Sequence, residues 1–312
     1  MSAGAGCRVA EVLDDGTGAT FPMLVMYPSP APERPERVGP YDMSVAMDGP
    51  VEDGSFPLVV VSHGTGGSHL LYRTLAAHLA RHGFVVALPE HPRNHRNDNA
   101  LAGTHTILAD RPRHLRAAID WAYADGALGP RLAPRTVAVV GHSLGGYTAL
   151  ALAGGTPTAF GRETPDGQPR PVPVTPDARV KALVLLAPAT PWFMAPGALR
   201  DVRVPILMFS AEKDEHAPLW HARIVERGVR DGTPIDHRTV ANAGHYSFLA
   251  PFPPAIASPA FPPSQDPPGF DRAAFHEELN VEVEAFLHRV LLPRARAESA
   301  EASPGGDPTS YG

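Results

Sequence analysis

Three separated segments of the chain carry residue types that together can turn a hydroxyl group into a nucleophile. Residues 141–146 read Gly-His-Ser-Leu-Gly-Gly, between the apolar run 136–140 and an alanine- and leucine-rich stretch. This G-x-S-x-G pattern is typical of a sharp strand-to-helix turn that exposes the serine hydroxyl, and small residues on both sides let the backbone segments pass closely. Ser143 is therefore the predicted nucleophile. The alternative is a glycine-rich turn of a nucleotide-binding fold, although no Gly-Lys-Ser/Thr ending follows.

A serine hydroxyl is a weak nucleophile unless a base removes its proton and an acid orients that base. His245 is the candidate base, because it follows Gly244 in a loop after a strand candidate. Asp214 is the candidate acid, because its loop follows the strand candidate 204–210, where an orienting carboxylate belongs. Glu212 and Glu215 lie on the same loop and remain alternatives.

Acyl transfer also needs backbone amides that bind the negative oxygen of the intermediate. Leu144 follows the nucleophile and supplies one amide, and Thr65, in Ser-His-Gly-Thr-Gly-Gly at 62–67, is the candidate for the second. An ordinary glycine-rich turn is the alternative for that segment. His142, Trp192 and Tyr246 are expected to line the substrate pocket, and packing of Trp192 under a loop is the alternative for this residue.

Strand-like and helical patterns alternate from about residue 57 to residue 290, which predicts an α/β fold with a mostly parallel central sheet flanked by helices. Near-continuous apolar runs predict strands at 57–63, 84–90, 136–140, 180–187 and 204–210, with a more polar strand near the edge at 235–241. Helical spacing predicts helices at 70–81, 106–123, 144–153, 219–230 and 272–292. Residues 21–27 are expected to form an antiparallel edge strand.

The 36 prolines of the chain are concentrated in three segments that are expected to be loops, at 28–57, 154–177 and 250–270. Only a short segment separates the strand candidates 180–187 and 204–210, so no large cap domain is expected. Residues 1–293 are predicted to form a single domain. Residues 294–312 have lost their apolar residues and are predicted to be a disordered tail.

Composition excludes several classes of function. The net charge is −6 and no block of Lys and Arg occurs, so a nucleic-acid partner is not expected. The single cysteine, Cys7, lies in an N-terminal segment expected to fray, which excludes a disulfide, a cysteine metal cluster and a thiol nucleophile. His91, His95 and Asp98 are predicted to lie in a loop, so they are not expected to form a metal site. No cofactor is expected either. No run is apolar enough for a membrane span, and the N-terminus lacks a leader pattern, so we expect a cytoplasmic protein.

Four segments carry a family resemblance: FPLVVVSHGTGGSHLLYRTLAAHLARHGFVVALPEHP, VVGHSLGGYTAL, ILMFSAEKDEHAP, and AGHYSFLAPFP with FDRAAFHEELNVEVEAFL. The chain resembles the α/β-hydrolase superfamily, and more closely the bacterial predicted dienelactone hydrolases related to platelet-activating-factor acetylhydrolase. The VVGHSLGGYTAL segment points only to the superfamily, whereas HGTGG and GHYSFLAPF together point to the narrower branch. The resemblance implies an esterase with the triad and oxyanion-hole residues named above.

The chain departs from these relatives at two places. True dienelactone hydrolases have a cysteine at the position of Ser143, so their activity is not implied. Animal acetylhydrolases place the acid after the preceding strand, where residues 187–190 here read Ala-Pro-Ala-Thr without a carboxylate, and this favours Asp214. The stretch Thr190-Pro191-Trp192 is also similar to bacterial cutinase-like polyester hydrolases, in which a tryptophan lines the acyl or aromatic subsite.

The leading hypothesis is a cofactor-independent carboxylic-ester hydrolase that acts on a small-molecule ester through an acyl-enzyme on Ser143. An acyltransferase or a thioesterase would use the same three residues. A ligand-binding homologue that no longer catalyses turnover is the alternative from a different class.

Overall fold

The computed structural model describes residues 4–292, so the predicted disordered tail at 294–312 lies outside the described residues. The strands within that range are β1 (Gly4–Asp14), β2 (Ala19–Ser29), β3 (Arg34–Val38), β4 (Tyr41–Met47), β5 (Phe56–Ser62), β6 (Val85–Pro89), β7 (Leu132–His142), β8 (Thr158–Ala159), β9 (Arg170–Pro171), β10 (Val180–Leu186), β11 (Ile206–Ala211) and β12 (Ile235–Val240). The α-helices are α1 (Arg73–Arg81), α2 (His105–Ala124), α3 (Leu144–Leu152), α4 (Trp220–Gly228) and α5 (Arg272–Leu291).

The central sheet has ten strands in the order β12-β11-β10-β7-β5-β6-β2-β1-β4-β3. The six strands from β12 to β6 all run parallel to one another. β2 then pairs antiparallel with both β6 and β1. The sequence-predicted, mostly parallel sheet is therefore confirmed, and β12 lies at an edge as expected.

Helices cover both faces of the sheet and separate the core into two clusters. On one face, α1 and α5 pack residues such as Leu75 and Val283 against the sheet. On the other face, α2, α3 and α4 contribute residues such as Leu115, Leu150 and Val225. Parallel strands covered on both faces must be apolar on both sides, which is why their sequences read as unbroken hydrophobic runs.

The N-terminal part of the sheet corrects three sequence-based expectations. β2 is an interior strand rather than an edge strand, because β1 pairs with it along its whole length. Cys7 does not lie in a frayed segment: it sits in β1 with no exposed surface, and burial raises the pKa of its thiol to about 12. The segment 28–57 contains β3 and β4 and is not only a loop. Glycine and alanine in β1 have low strand propensity, so pairing with β2 decides its structure.

The other two proline-rich segments are largely irregular. The segment 154–177 holds only the two-residue strands β8 and β9 and a short 3₁₀ turn at Gly161–Glu163. The segment 250–270 holds one 3₁₀ turn, Pro262–Ser264. Since β10 and β11 are joined by residues 187–205 with a single 3₁₀ turn, no large cap covers the described part of the molecule.

A buried polar cluster joins the N-terminal hairpin to helix α2. Asp14 accepts hydrogen bonds from Arg113 Nε at 2.7 Å and Nη2 at 3.0 Å, and its Oδ2 lies 3.6 Å from His114 Nε2. His114 is 2 % exposed and also contacts the ring of Phe21. Burial lowers the pKa of His114 from 6.5 to about 4, although Asp14 opposes the shift.

The free energy of unfolding is expected to fall as the pH drops from about 6.5 to 4. In that range the unfolded chain binds a proton at His114 that the folded chain does not bind, so protonation favours unfolding. Each pKa unit corresponds to about 1.4 kcal/mol, so His114 should account for about 2 kcal/mol between pH 7 and pH 5. Urea unfolding at the two pH values measures the loss. H114Q should reduce the pH dependence, whereas H105Q, at the first turn of the same helix, should not; equal slopes in all three proteins would contradict the assignment.

Candidate active site

Ser143 occupies a strained turn between β7 and α3. Its backbone angles are φ 54° and ψ −120°, in a region that side-chain-bearing residues rarely adopt. A Cβ atom on Gly141 would overlap the carbonyl of Gly145, and a Cβ atom on Gly145 would overlap the carbonyl of Ser62. A Cβ atom on Gly64 would lie 3.2 Å from Ser143 Cβ. The expectation of small residues around a sharp turn is therefore confirmed.

A chain of two hydrogen bonds links the three sequence-predicted residues. His245 Nε2 lies 3.0 Å from Ser143 Oγ, and His245 Nδ1 lies 2.8 Å from Asp214 Oδ2. An ionised carboxylate only accepts hydrogen bonds, so Nδ1 of the imidazole carries the proton and Nε2 presents its lone pair to the serine. Along the chain His245 is 31 positions from Asp214 and 102 positions from Ser143. The fold brings the three side chains together.

The side chain of Asp214 is fully buried and is held by backbone amides. Its Oδ1 accepts hydrogen bonds from the amide of His216 at 2.8 Å and the amide of Ala217 at 2.7 Å, which leaves Oδ2 for His245. Burial acts to raise the pKa of Asp214, but these hydrogen bonds and the adjacent imidazole outweigh it and hold the pKa below its usual value. The carboxylate stays ionised and its Oδ2 faces the imidazole of His245.

The two alternative acids on this loop lie elsewhere. Glu212 and Glu215 are both exposed. Glu212 Oε2 accepts a hydrogen bond from the backbone amide of Asn242 at 2.6 Å, so it fastens the loop that precedes His245 rather than contacting the imidazole. Of the three carboxylates considered from the sequence, Asp214 is the one that contacts His245.

Two backbone amides beside the nucleophile have no hydrogen-bond acceptor among residues 4–292. They belong to Leu144, the first residue of α3, and to Thr65, in the loop after β5. The N-terminus of a helix carries a partial positive charge and presents free amides. Because Gly64 lies against Ser143, the neighbouring Thr65 also lies close to the nucleophile. Both amides are therefore available to bind an oxyanion.

His142 was expected to line the pocket, but the structure places it behind the active residues. It is 3 % exposed, its Nδ1 lies 2.9 Å from the hydroxyl of Tyr72, and its Nε2 lies 3.0 Å from the carbonyl oxygen of His245. Burial and the neighbouring His245 lower the pKa of His142 to about 3, so its ring is neutral. In that state Nε2–H donates to the carbonyl of His245 and fixes the backbone of the base.

The other two predicted pocket residues have different surroundings. Trp192 is half-buried against Tyr147 and donates from its indole nitrogen to Glu163 Oε2 at 3.0 Å, so it packs against the proline-rich segment 154–177. Tyr246 is half-buried next to the base, with its ring centroid 5.3 Å from that of His245 and 5.4 Å from that of His216.

The segment 250–270 is tied to the turn that carries the base. Ser247 Oγ donates to Asp266 Oδ1 at 2.8 Å, and Arg272 Nε donates to Asp266 Oδ2 at 2.8 Å. His276, on α5, bonds to the carbonyl of Ser247 through its Nε2 at 3.1 Å. Sequence reasoning missed these anchors because each residue lies in a loop or at a helical position where a polar residue is ordinary.

The histidines of the predicted loop 91–98 point in different directions. His91 is buried and its Nε2 lies 2.9 Å from Ser62 Oγ, whereas His95 Nδ1 lies 3.6 Å from Glu90 Oε1. The segment forms turns and isolated bridges rather than a helix, as the sequence predicts.

Comparisons with known proteins agree with this architecture. A family model described as Chlorophyllase matches residues 29–160. The solved structure of a ferulic acid esterase from Streptomyces cinnamoneus superposes with a TM-score of 0.70 and 20 % sequence identity, covering 97 % of this chain and 94 % of that chain. The protein has the α/β-hydrolase fold. The fold that the resemblance of the four sequence segments implies is thereby confirmed.

Cutinases and a chlorophyllase are among the proteins that this chain is similar to. Cutinase est1 of Thermobifida alba is 27 % identical over 204 residues, which are 64 % of this chain and 56 % of that protein. Cutinase cut1 of Thermobifida fusca is 31 % identical over 180 residues, 56 % of this chain and 44 % of that protein. Chlorophyllase-2 of Arabidopsis thaliana is 30 % identical over 110 residues, 33 % of this chain and 31 % of that protein. The chain spans about half the length of the cutinases that it matches.

The narrower resemblance to predicted dienelactone hydrolases remains a prediction. It is compatible with the cutinases and the chlorophyllase found here. Within residues 4–292, none of the helices combines the length and apolar character that crossing a membrane requires.

Replacing Asp214 should separate its role from that of the neighbouring carboxylates. In D214N the amide can donate to Nδ1 of His245 and hold the wrong tautomer, so kcat for an ester substrate should fall by about 10⁴-fold. E212Q and E215Q should stay close to wild type. Steady-state kinetics on the three variants, with circular dichroism as a folding control, measures the difference. A larger loss of kcat in E212Q or E215Q than in D214N would show that Asp214 is not the orienting acid.

Proposed function

We propose that the protein is a serine carboxylic-ester hydrolase in which Ser143 is the nucleophile, His245 the base and Asp214 the orienting acid. The observation that carries the proposal is the continuous hydrogen-bond path from Asp214 Oδ2 through both ring nitrogens of His245 to Ser143 Oγ. The cutinases and the chlorophyllase among its relatives, and the fold shared with a ferulic acid esterase, support an ester substrate.

The first half of the proposed reaction transfers the acyl group to the enzyme. Ser143 Oγ gives its proton to His245 Nε2 and forms a bond to the carbonyl carbon of the ester. The carbonyl oxygen becomes an oxyanion, which accepts hydrogen bonds from the amides of Thr65 and Leu144. When the tetrahedral intermediate collapses, the bond to the alcohol oxygen breaks and His245 Nε2–H protonates the leaving alcohol.

The second half returns the enzyme to its starting state. Water gives a proton to His245 Nε2 and attacks the acyl carbon, forming a second oxyanion on the same amides. The bond to Ser143 Oγ then breaks, the serine regains the proton, and the carboxylic acid leaves. Throughout, the ionised Asp214 stabilises the protonated imidazole, and the buried amide contacts of this carboxylate keep it from turning away.

The substrate is proposed to be a small-molecule ester with an extended or apolar acyl group. No large cap lies over the site among residues 4–292, and three exposed apolar side chains lie in the segments that follow β10 and β11: Met194, Leu219 and Trp220. We propose that these side chains contact the acyl group, since ligands of open α/β sheets bind outside the carboxyl ends of the strands. A cytoplasmic location remains a prediction from the sequence.

Ser143 should be required for turnover and should be the residue that an active-site probe modifies. Wild-type protein is expected to hydrolyse a short-chain p-nitrophenyl ester, and S143A should lose kcat by at least about 10⁴-fold. An organophosphonate probe should add one adduct, which peptide mapping by mass spectrometry should place on Ser143. S55A, at an exposed serine far along the chain, is the matched control and should retain both activity and labelling.

Equal hydrolysis rates in wild type and S143A, or no adduct on the folded protein, would favour a non-catalytic ligand-binding protein. Product analysis with an added alcohol or a thioester donor separates the hydrolase from an acyltransferase and a thioesterase. A free carboxylic acid as the main product is the result that the proposal expects.

A further inference from the structure

A fully buried arginine lies beneath the two amides that are proposed to bind the oxyanion. Arg111, on α2, has no exposed surface. Its four acceptors are all uncharged: Thr148 Oγ1 at 2.9 Å, Asn94 Oδ1 at 2.6 Å, Ser62 Oγ at 3.2 Å and the carbonyl oxygen of His63. A guanidinium buried without an ion-pairing carboxylate is costly, so a residue of this kind calls for a functional explanation.

One branch of this arrangement leads to Thr65. Because Asn94 Oδ1 accepts from Arg111, the amide of Asn94 must direct its Nδ2 the other way, and Nδ2 donates to Thr65 Oγ1 at 2.9 Å. The carbonyl of Asn94 also accepts from the amide of Gly66 at 3.2 Å. Thr65 is itself exposed, so these contacts anchor an otherwise solvated loop tip.

The other branch leads to Leu144. Thr148 Oγ1 accepts from Arg111 Nε and donates to the carbonyl oxygen of Leu144 at 3.0 Å, one turn back along α3. The guanidinium also binds the carbonyl of His63, directly before Gly64. A planar guanidinium with five donors in fixed directions can hold several acceptors at once, which a lysine ammonium cannot do in the same geometry.

We propose that Arg111 is a positioning residue for the oxyanion hole, holding Thr65 through Asn94 and Leu144 through Thr148. This inference rests on the proposed function. Arg111 does not touch the substrate; it fixes the relative position of two backbone amides that come from different parts of the chain. Since oxyanion hydrogen bonds strengthen in the transition state, their misplacement lowers kcat and leaves ground-state binding almost unchanged.

The test compares R111Q, R111K and the surface control R116Q on the same helix. R111Q is expected to lose kcat by about 10- to 100-fold with little change in KM, and R111K should recover only part of the loss. Inhibition by a trifluoromethyl ketone, which forms a tetrahedral adduct, should weaken in parallel with kcat/KM. R116Q should match wild type. A raised KM with unchanged kcat, or full activity in folded R111Q, would overturn the proposal.

Two smaller changes keep the test valid if R111Q does not fold. N94A removes only the branch to Thr65, and T148V removes only the branch to Leu144, so each should lower kcat without raising KM. Unchanged kcat in both folded variants would overturn the positioning role. The proposed function is tested separately: if wild type and S143A hydrolyse esters equally, the proposed function itself fails, whereas an active wild type with fully active Arg111 variants rejects only this inference.

A second, independent observation concerns a cluster of nitrogen and oxygen donors on helices α1 and α5. One nitrogen each from His78 and His82 and an oxygen from Glu284 all lie within 4.8 Å of one another. His78 Nε2 is 2.7 Å from Glu284 Oε2, and His82 Nδ1 is 3.7 Å from the same oxygen. His288, one turn further along α5, places its Nε2 3.7 Å from Glu284 Oε1.

We propose that this cluster binds a divalent transition metal such as Zn²⁺, with His78, His82 and Glu284 as its three protein ligands and water as the fourth. Imidazole nitrogen and carboxylate oxygen are donors that zinc accepts at about 2.0–2.2 Å, and two histidines four apart on α1 with one carboxylate from α5 form a three-ligand set that leaves the fourth tetrahedral position to water. His82 Nδ1 contacts the carbonyl of His78 at 2.7 Å, and metal binding at this nitrogen would replace that contact. The sequence analysis predicts no metal, and Glu284 lies about 200 positions along the chain from the two histidines.

The site lies away from the catalytic edge, because α1 returns from the carboxyl end of β5 to the start of β6. Bound zinc should therefore stabilise the helix pair without changing ester hydrolysis. Tag-free protein treated with EDTA and then dialysed should bind one equivalent of Zn²⁺ by calorimetry, and its Tm should rise. H82A and E284Q should lose both effects, and H105A should retain them. No binding by wild type, or unchanged binding in H82A and E284Q, would overturn the site.

Discussion

The close approach of three backbone segments at Ser143 is the constraint on which the rest of the structure depends. The loop after β5, the end of β7 and the start of α3 meet where side chains larger than hydrogen do not fit. The serine itself holds a conformation that costs about 1–3 kcal/mol. Neighbouring strand β10 offsets this cost, since the Ser143 amide donates to the carbonyl of Leu186 at 3.0 Å and the Ser143 carbonyl accepts from Ala189 at 2.8 Å. β10 and the loop after it thus hold both the amide and the carbonyl of Ser143.

Bringing these segments together also buries polar groups, and the chain satisfies them with neutral partners. Arg111 binds hydroxyl, amide and carbonyl oxygens. Burial lowers its pKa to about 9, which still leaves it charged at neutral pH. A carboxylate would pair with this cation more strongly, but its negative charge would then oppose an oxyanion forming at the nearby amides of Thr65 and Leu144. Neutral acceptors keep the positive field of the guanidinium directed at the site, which is consistent with the proposed acyl transfer.

The parallel strands could be predicted from the sequence because a strand that is buried on both faces has an almost continuous run of apolar residues. The strand at 180–187 is observed as Val180–Leu186, and the helix at 272–292 as Arg272–Leu291. The prediction that residues 21–27 form an edge strand was wrong, because β1 pairs outside them. The glycine- and alanine-rich sequence of β1 has low strand propensity, and this segment becomes a strand by pairing with β2. Local pattern could not place His142 behind the base or reveal Arg111, because both roles depend on contacts between residues far apart in the chain.

The proline-rich segment 250–270 packs against the turn that carries His245, the proposed base, so the proposed function links this segment to catalysis. His245 lies in a short turn between Gly244 and Ser247, and that turn is held by Asp266 of the proline-rich segment 250–270. A Cβ atom on Gly244 would lie 3.3 Å from Pro267, so the segment packs directly against the turn. Proline restricts the unfolded chain and so lowers the entropy lost when such a segment becomes ordered. A loop that borders the site and also anchors the base cannot change its shape for a new substrate without moving Nε2 relative to Ser143, so selectivity and rate should vary together in this protein.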